Sequence, residues 1–242
     1  MIVLKIFKRI MWDFWLVIIN IVRDSFPCPI SSNDTVLDLH NFGLHCSDLK
    51  LSPQKLSILE TVYTEWMMKS SLLSAGQGTG RISVNGMLDD RLSDIVEDMR
   101  TVANSYLCVR HAHLELTYFQ ESRPVNNIDS VPGGEFHIDD NKANLKFFVY
   151  LSDVTAINGP FVVVPKTHRW RERGRILVAL NWALTKRRKA LYYNGDSSTL
   201  EIKSRRILGN KGTFFIADTT AWHKAEPVLE GTRKVFVASF NR

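Results

Sequence analysis

The chain has 242 residues, 45% hydrophobic and 23% charged. These proportions are ordinary for a soluble globular protein, and the length buries a sizeable core as one domain of the double-sheet kind without disulfide staples. Its 3 cysteines, Cys28, Cys46 and Cys108, are scattered, odd in number and free of any Cys-x-x-Cys pattern, which excludes a disulfide framework and fits a reducing, cytoplasmic compartment. The net charge of +6 is moderate, so where it sits matters more than its size.

Residues 1–23 read as an amphipathic helix. At roughly 100° per residue, Lys5, Lys8, Arg9, Asp13, Asn20 and Arg23 fall on one side, and Trp12, Phe14 and Trp15 lie in the broad apolar remainder. The apolar stretch is too short and too interrupted to cross a bilayer, and it lacks the small-residue cleavage site of a signal peptide. Three readings stay open: a helix packed on the domain's own sheet, a peripheral helix lying on a membrane, or a dimer contact. Pro27-Cys28-Pro29 marks a turn. Ser52-Pro53 opens a helix, Ser as cap and Pro in the first turn, with Leu56, Leu59, Val62, Trp66 and Met67 at helical spacing. Gly76-Gln77-Gly78-Thr79-Gly80 is a loop. No apolar strand leads into it and no helix opens from it, which excludes a nucleotide-binding turn. A short strand is predicted at Ile82–Val84, then a helix from Asp89-Asp90 that buries Leu92, Ile95, Val96, Met99 and Val102.

From Tyr106 the pattern turns to β. His111, His113, Glu115 and Thr117 are expected on one strand face. His111-Ala112-His113 is a candidate metal pair, explained as well by two histidines bonded to neighbouring side chains. A polar loop from Pro124 to Gly134 leads into His137-Ile138-Asp139. Side chains alternate along a strand, so this imidazole and this carboxylate leave the same face and can hold a metal from adjacent corners. Asn144 to Val154 reads as a strand, Asn158-Gly159-Pro160 as a turn, and Phe161 to Val164 as a second strand stopped by Pro165. Residues 166–189 carry nine lysines and arginines against the single acid Glu172. This segment is either a solvated helical face or a rim that attracts an anionic substrate or surface. Without regular basic–aromatic alternation, nucleic acid is not the expected partner. A glycine-led apolar run, Gly212 to Asp218, precedes Thr220-Ala221-Trp222-His223. Two histidines and one carboxylate, with the other positions open, form the facial triad of a non-haem Fe(II) oxygenase.

The order of these pieces resembles the phytanoyl-CoA dioxygenase-like family of Fe(II)/2-oxoglutarate oxygenases. The features carrying the likeness are His137-Ile138-Asp139, Leu151-Ser152-Asp153-Val154, Asn158-Gly159-Pro160, the Val162-Val163-Val164-Pro165 strand, His168, and the glycine-led strand before His223. Lys166-Thr167 stands where the family more often has Gly-Ser. The likeness runs from about Leu114 to the C-terminus.

The resemblance implies a single domain over 1–242. A mostly helical part would span 1–105, and a double-stranded β-helix, the cupin-like jelly-roll, would span 106–242 with a basic insert at 166–208. It implies Fe(II) on His137, Asp139 and His223, with 2-oxoglutarate and O2 as cosubstrates and ascorbate as a supporting reductant. Arg233 would grip the far carboxylate of 2-oxoglutarate with two parallel hydrogen bonds. Phe148 would wall the cosubstrate, with Lys146 and Tyr150 on the same strand face. Asp139 favours hydroxylation over the halogenation of relatives that lack this carboxylate. The expected substrate is a small molecule, with the basic segment hinting at an anionic one. Two other readings remain: a non-enzymatic jelly-roll acting at a membrane or partner surface, and another metalloenzyme on a similar barrel that has no need of Arg233.

Overall fold

The computed structural model describes residues 33–47, 50–71, 81–86, 89–124, 134–139, 144–169, 191–193 and 196–242. The expectations for residues 1–23, for Pro27-Cys28-Pro29, for the Gly76–Gly80 loop and for the basic segment beyond Arg169 lie outside these residues. Helix α1 (Asp34–Phe42) starts where the Asn33 side chain accepts from the Thr35 N–H and stops at Gly43, whose φ is 71°, the left-handed conformation that ends helices. Helix α2 (Pro53–Ser71) opens at Ser52-Pro53 as the sequence predicts, and Leu59, Val62 and Tyr63 are its buried face. A single 3-10 turn, Asp90–Leu92, leads into α3 (Ser93–Leu107), which buries Ile95, Val96, Met99, Ala103, Tyr106 and Leu107.

The change to β comes later than the sequence reading has it. Tyr106 and Leu107 end α3, because they continue the helical spacing of Met99 and Ala103 into the core. Cys108 then takes φ 53°, and strand β3 (His113–Ser122) begins only at His113.

Two antiparallel sheets make the jelly-roll. The larger has the order β1-β9-β5-β11-β3-β2. Its strands are β1 (Leu44–Cys46), β2 (Arg81–Gly86), β3, β5 (Leu145–Tyr150), β9 (Phe214–Asp218) and β11 (Arg233–Asn241). The N-terminal part is therefore not only helical: β1 and β2 supply both edges of this sheet. The smaller sheet has the order β7-β4-β10-β6-β8. It is built from β4 (His137–Ile138), β6 (Phe161–Val163), β7 (Leu191–Tyr192), β8 (Arg205–Ile207) and β10 (His223–Ala225). A short helix, α4 (Ser198–Lys203), precedes β8.

Alternation along each strand divides the large sheet's side chains between two cores. Phe119, Phe147, Phe236 and Phe240 face the helices, where Trp66 meets Phe119 edge-on at 5.1 Å. Phe148, Tyr150, Phe215, Val235 and Val237 face the small sheet and meet Phe161 from it. The site lies in this second layer. Among the described residues, no helix is long and apolar enough to cross a membrane.

Candidate metal centre and cavity

His137 on β4 and His223 on β10 are direct partners across two antiparallel strands. Opposed residues in such a pair send their side chains to the same face, so the two imidazoles stand side by side with centroids 4.4 Å apart. Each ring is held by the backbone two residues before it. His137 Nδ1 lies 2.8 Å from the Glu135 carbonyl and His223 Nδ1 lies 2.9 Å from the Ala221 carbonyl. A carbonyl can only accept, so Nδ1 carries the proton in both rings and Nε2 presents its lone pair.

Asp139 follows the end of β4, its N–H donating to the Thr219 carbonyl at 3.2 Å. Its oxygens lie 3.6 Å from His137 Nε2 and 3.4 Å from His223 Nε2, and the three donor atoms all fall within 4.8 Å of one another. Nitrogen and oxygen donors about 2.0–2.2 Å from one first-row ion sit roughly 3.0–3.4 Å apart on adjacent corners. Two imidazoles and a carboxylate, each already oriented by its far side, are a donor set that could close on a single divalent ion. Among the described residues this is the one group of three such donors that could do so.

Burial alone would push the Asp139 carboxyl up. The Lys146 ammonium at 2.8 Å outweighs it and holds Asp139 well below the usual carboxylate range. Lys146 in turn stays charged: burial opposes it, and the Asp139 carboxylate more than compensates. Burial pushes His223 down despite the adjacent carboxylate. An anionic Asp139 carboxylate beside a His223 imidazole that burial disfavours protonating is the arrangement a cation needs.

The triad opens into a cavity of about 230 Å³ between the sheets. Lys146, Phe148 and Tyr150 line it from alternate positions of β5. Lys146 differs in its partner, being paired with the Asp139 carboxylate. Phe148 stacks on Phe215 at 4.6 Å and tilts against Phe161 at 4.8 Å, so it is a core residue as well as a wall. The Tyr150 hydroxyl donates to the Ile207 carbonyl at 2.8 Å, and burial pushes its pKa up to about 12, keeping it protonated.

Arg233, the first residue of β11, is 4% exposed and also lines the cavity. Its guanidinium donates to the Gly159 carbonyl and to Ser122 Oγ. Tyr118 and Gln120 complete this wall and were missed from sequence. Their signal was alternation with Ser122 on β3, but it becomes readable only once β3 is paired with β11, where Arg233, Val235 and Val237 stand opposite Ser122, Gln120 and Tyr118. The His111/His113 alternative does not form a site. His111 precedes β3, with its Nε2 3.2 Å from the Arg100 guanidinium, and His113 is the exposed first residue of the strand.

No family model matches the chain and no curated protein matches it in sequence. Solved structures do match its fold. The chain is similar to EctD from S. alaskensis with 2-oxoglutarate and 5-hydroxyectoine, at TM-score 0.62 and 14% identity over 92% of this chain and 80% of that one. It is similar to the non-haem alpha-ketoglutarate-dependent carbocyclase SnoK from nogalamycin biosynthesis, at TM-score 0.60 and 14% identity over 88% and 85%. It is also similar to HygX from Streptomyces hygroscopicus with nickel and 2-oxoglutarate bound, at TM-score 0.59 and 12% identity over 88% of each chain. At these identities the likeness establishes the fold.

Proposed function

We propose that the chain is an Fe(II)- and 2-oxoglutarate-dependent oxygenase that hydroxylates a C–H bond of a small molecule. The observation that carries this reading is the His137–Asp139–His223 cluster inside a cavity whose wall holds the buried cation Arg233. The solved structures of this fold support it: EctD and HygX hold 2-oxoglutarate, and SnoK is an alpha-ketoglutarate-dependent carbocyclase. Bound iron with 2-oxoglutarate and O2 supplies oxidative decarboxylation to succinate and CO2, coupled to insertion of oxygen into substrate.

The chain's own residues do the rest. His137, Asp139 and His223 would hold the ion, and the cavity they open into would admit the keto acid and O2. Arg233 receives the far carboxylate. Its plane is fixed by Gly159 and Ser122, so little freedom is lost when a two-pronged contact forms. Lys146 holds the second Asp139 oxygen, and Phe148 and Phe161 give the cavity wall its apolar part.

Hydroxylation is preferred because Asp139 occupies the corner a halide would need, although the carbocyclase SnoK has the same fold with a different outcome. The test is succinate release by the purified chain with Fe(II), 2-oxoglutarate and ascorbate, in air and under nitrogen. O2-dependent succinate that His137→Ala abolishes is expected. Equal release by wild type and His137→Ala would end the oxygenase reading. Screening compounds for faster 2-oxoglutarate turnover then identifies the substrate class.

A further inference from the structure

Asp218 is a carboxylate with no accessible surface, on the helix-facing side of β9 and outside the cavity lining. A buried carboxylate is costly unless donors surround it, and several do. The Tyr106 hydroxyl from the end of α3 donates at 2.6 Å, and Thr220 donates through its N–H at 2.9 Å and its hydroxyl at 2.6 Å. The Ala221 N–H also returns to the Asp218 carbonyl at 2.9 Å. The residues from 218 to 222 are thereby wound into one tight turn tied to a helix on the far side of the large sheet.

That turn presents two carbonyls to the metal cluster. Thr219 accepts the N–H of Asp139, and Ala221 accepts Nδ1–H of His223. The same turn is pinned from both flanks. Thr219 N–H reaches the Asn144 carbonyl at 2.9 Å, and Trp222 N–H reaches Thr167 Oγ1 at 2.9 Å. One segment thus sets the backbone position of one ligand and the ring orientation and tautomer of another.

We infer that Asp218 and Tyr106 are positioning residues for the metal centre: the buried carboxylate holds the 218–222 turn in the shape that aims Asp139 and His223, and Tyr106 links that shape to the helical layer. This rests on the reading that His137, Asp139 and His223 hold a metal. Outer partners of metal ligands are worth about 10–100-fold in affinity.

The test titrates Fe(II) anaerobically into wild type, Tyr106→Phe, Asp218→Asn, Asp218→Ala and the control Val96→Ala, and records the visible spectrum of Co(II) in the same site. Val96→Ala loosens α3 against the core, where Val96 is buried, without touching the turn. Tyr106→Phe removes the hydroxyl that donates to Asp218 and keeps the ring in the core. Asp218→Asn keeps an acceptor for Thr220 but faces Tyr106 with an amide donor, so it should rescue part of what Asp218→Ala loses. Tyr106→Phe and Asp218→Asn are expected to weaken Fe(II) about 10–100-fold and to alter the Co(II) spectrum, with 2-oxoglutarate affinity unchanged once metal saturates. Val96→Ala is expected to lower the melting temperature alone.

If the Tyr106 and Asp218 variants lose thermal stability as Val96→Ala does, yet keep wild-type metal affinity and spectrum, the inference is overturned. Wild type that binds no metal would overturn the metal-site reading and this inference with it. Metal binding weakened as expected, in a protein that turns over no 2-oxoglutarate, would support the inference and overturn the oxygenase reading alone.

Discussion

Arg233 is 4% exposed and donates to the Gly159 carbonyl and Ser122 Oγ; under the proposed function it is the residue whose removal would separate cosubstrate binding from metal binding. Truncating one partner of a buried charge pair costs about 2–5 kcal/mol, so Arg233→Ala should weaken 2-oxoglutarate roughly thirty- to several-thousand-fold. Arg233→Lys should recover part, since a point charge cannot reproduce the fork. Titrating 2-oxoglutarate into the Fe(II)-loaded variants checks this, and an unchanged affinity would remove the reason for naming that cosubstrate.

The triad also sets an acid limit on the metal-free protein. His223 is pushed down from its ordinary 6.5 by burial, so below about pH 6.5 the unfolded chain takes up a proton that the folded chain refuses, and stability falls as pH falls. Asp139 is held below its ordinary 3.8. Its contribution is present above that value and is lost as pH drops through the folded pKa. Urea midpoints of metal-free protein should decline from pH 6.5 to 5, and His223→Gln should flatten that decline. A midpoint independent of pH over this range would contradict the assignment.

At the scale of elements, the join between α1 and β1 shows how a loop residue enforces packing. Gly43 has φ 71°, and a Cβ there would lie 2.4 Å from Nδ1 of the buried His168. His168 Nε2 and the Arg169 guanidinium both reach the His40 carbonyl, and the Lys166 N–H reaches the Phe42 carbonyl, so the end of α1 is clamped to the 164–169 turn. Gly43→Ala should cost about 2–4 kcal/mol, the left-handed penalty plus displacement of a packed ring. Adding His168→Ala should remove the clash but not the backbone penalty, so the double mutant should be less destabilised than the two single losses added together. Urea unfolding of the four proteins measures this, and strict additivity would show that the two residues do not press on one another. The motif position His168 thus earns its place by clamping a helix end, away from the cavity.

For the whole molecule, a ligand that binds the fold and not the unfolded chain raises stability by mass action. Fe(II) at a hundred times its dissociation constant should add about 2.7 kcal/mol, which in a chain of this size is roughly 5–10 °C of melting temperature. Chelation should reverse the gain and His137→Ala should abolish it. Anaerobic melting curves with and without metal are the measurement, and no shift in wild type would place the metal elsewhere or nowhere. The gain should spread beyond the cavity. The triad spans β4 and β10 of the small sheet, and Lys146 on the large sheet is tied to Asp139, so an ion held by the triad would join strands that already connect to both sheets.

Local sequence carried much of this. His137-Ile138-Asp139 declares by its spacing alone that two donors leave one face, and the apolar run before His223 declares a strand after the Gly212 turn. The cap at Ser52-Pro53 and the helical spacing from Ile95 to Met99 are local signals as well, because helices and turns close their hydrogen bonds within a few residues. What sequence could not decide depends on partners far along the chain. Strand register alone brought His137 opposite His223, Tyr118 and Gln120 opposite Val237 and Val235, and β1 and β2 to the sheet's edges. The packing of the two sheets also set the Lys146 ammonium 2.8 Å from the Asp139 carboxylate, a contact no local pattern announces. Tyr106 read as the start of a strand because its apolar run fits either period. Only the core against which α3 packs, and the buried Asp218 carboxylate waiting for its hydroxyl, made it the end of a helix.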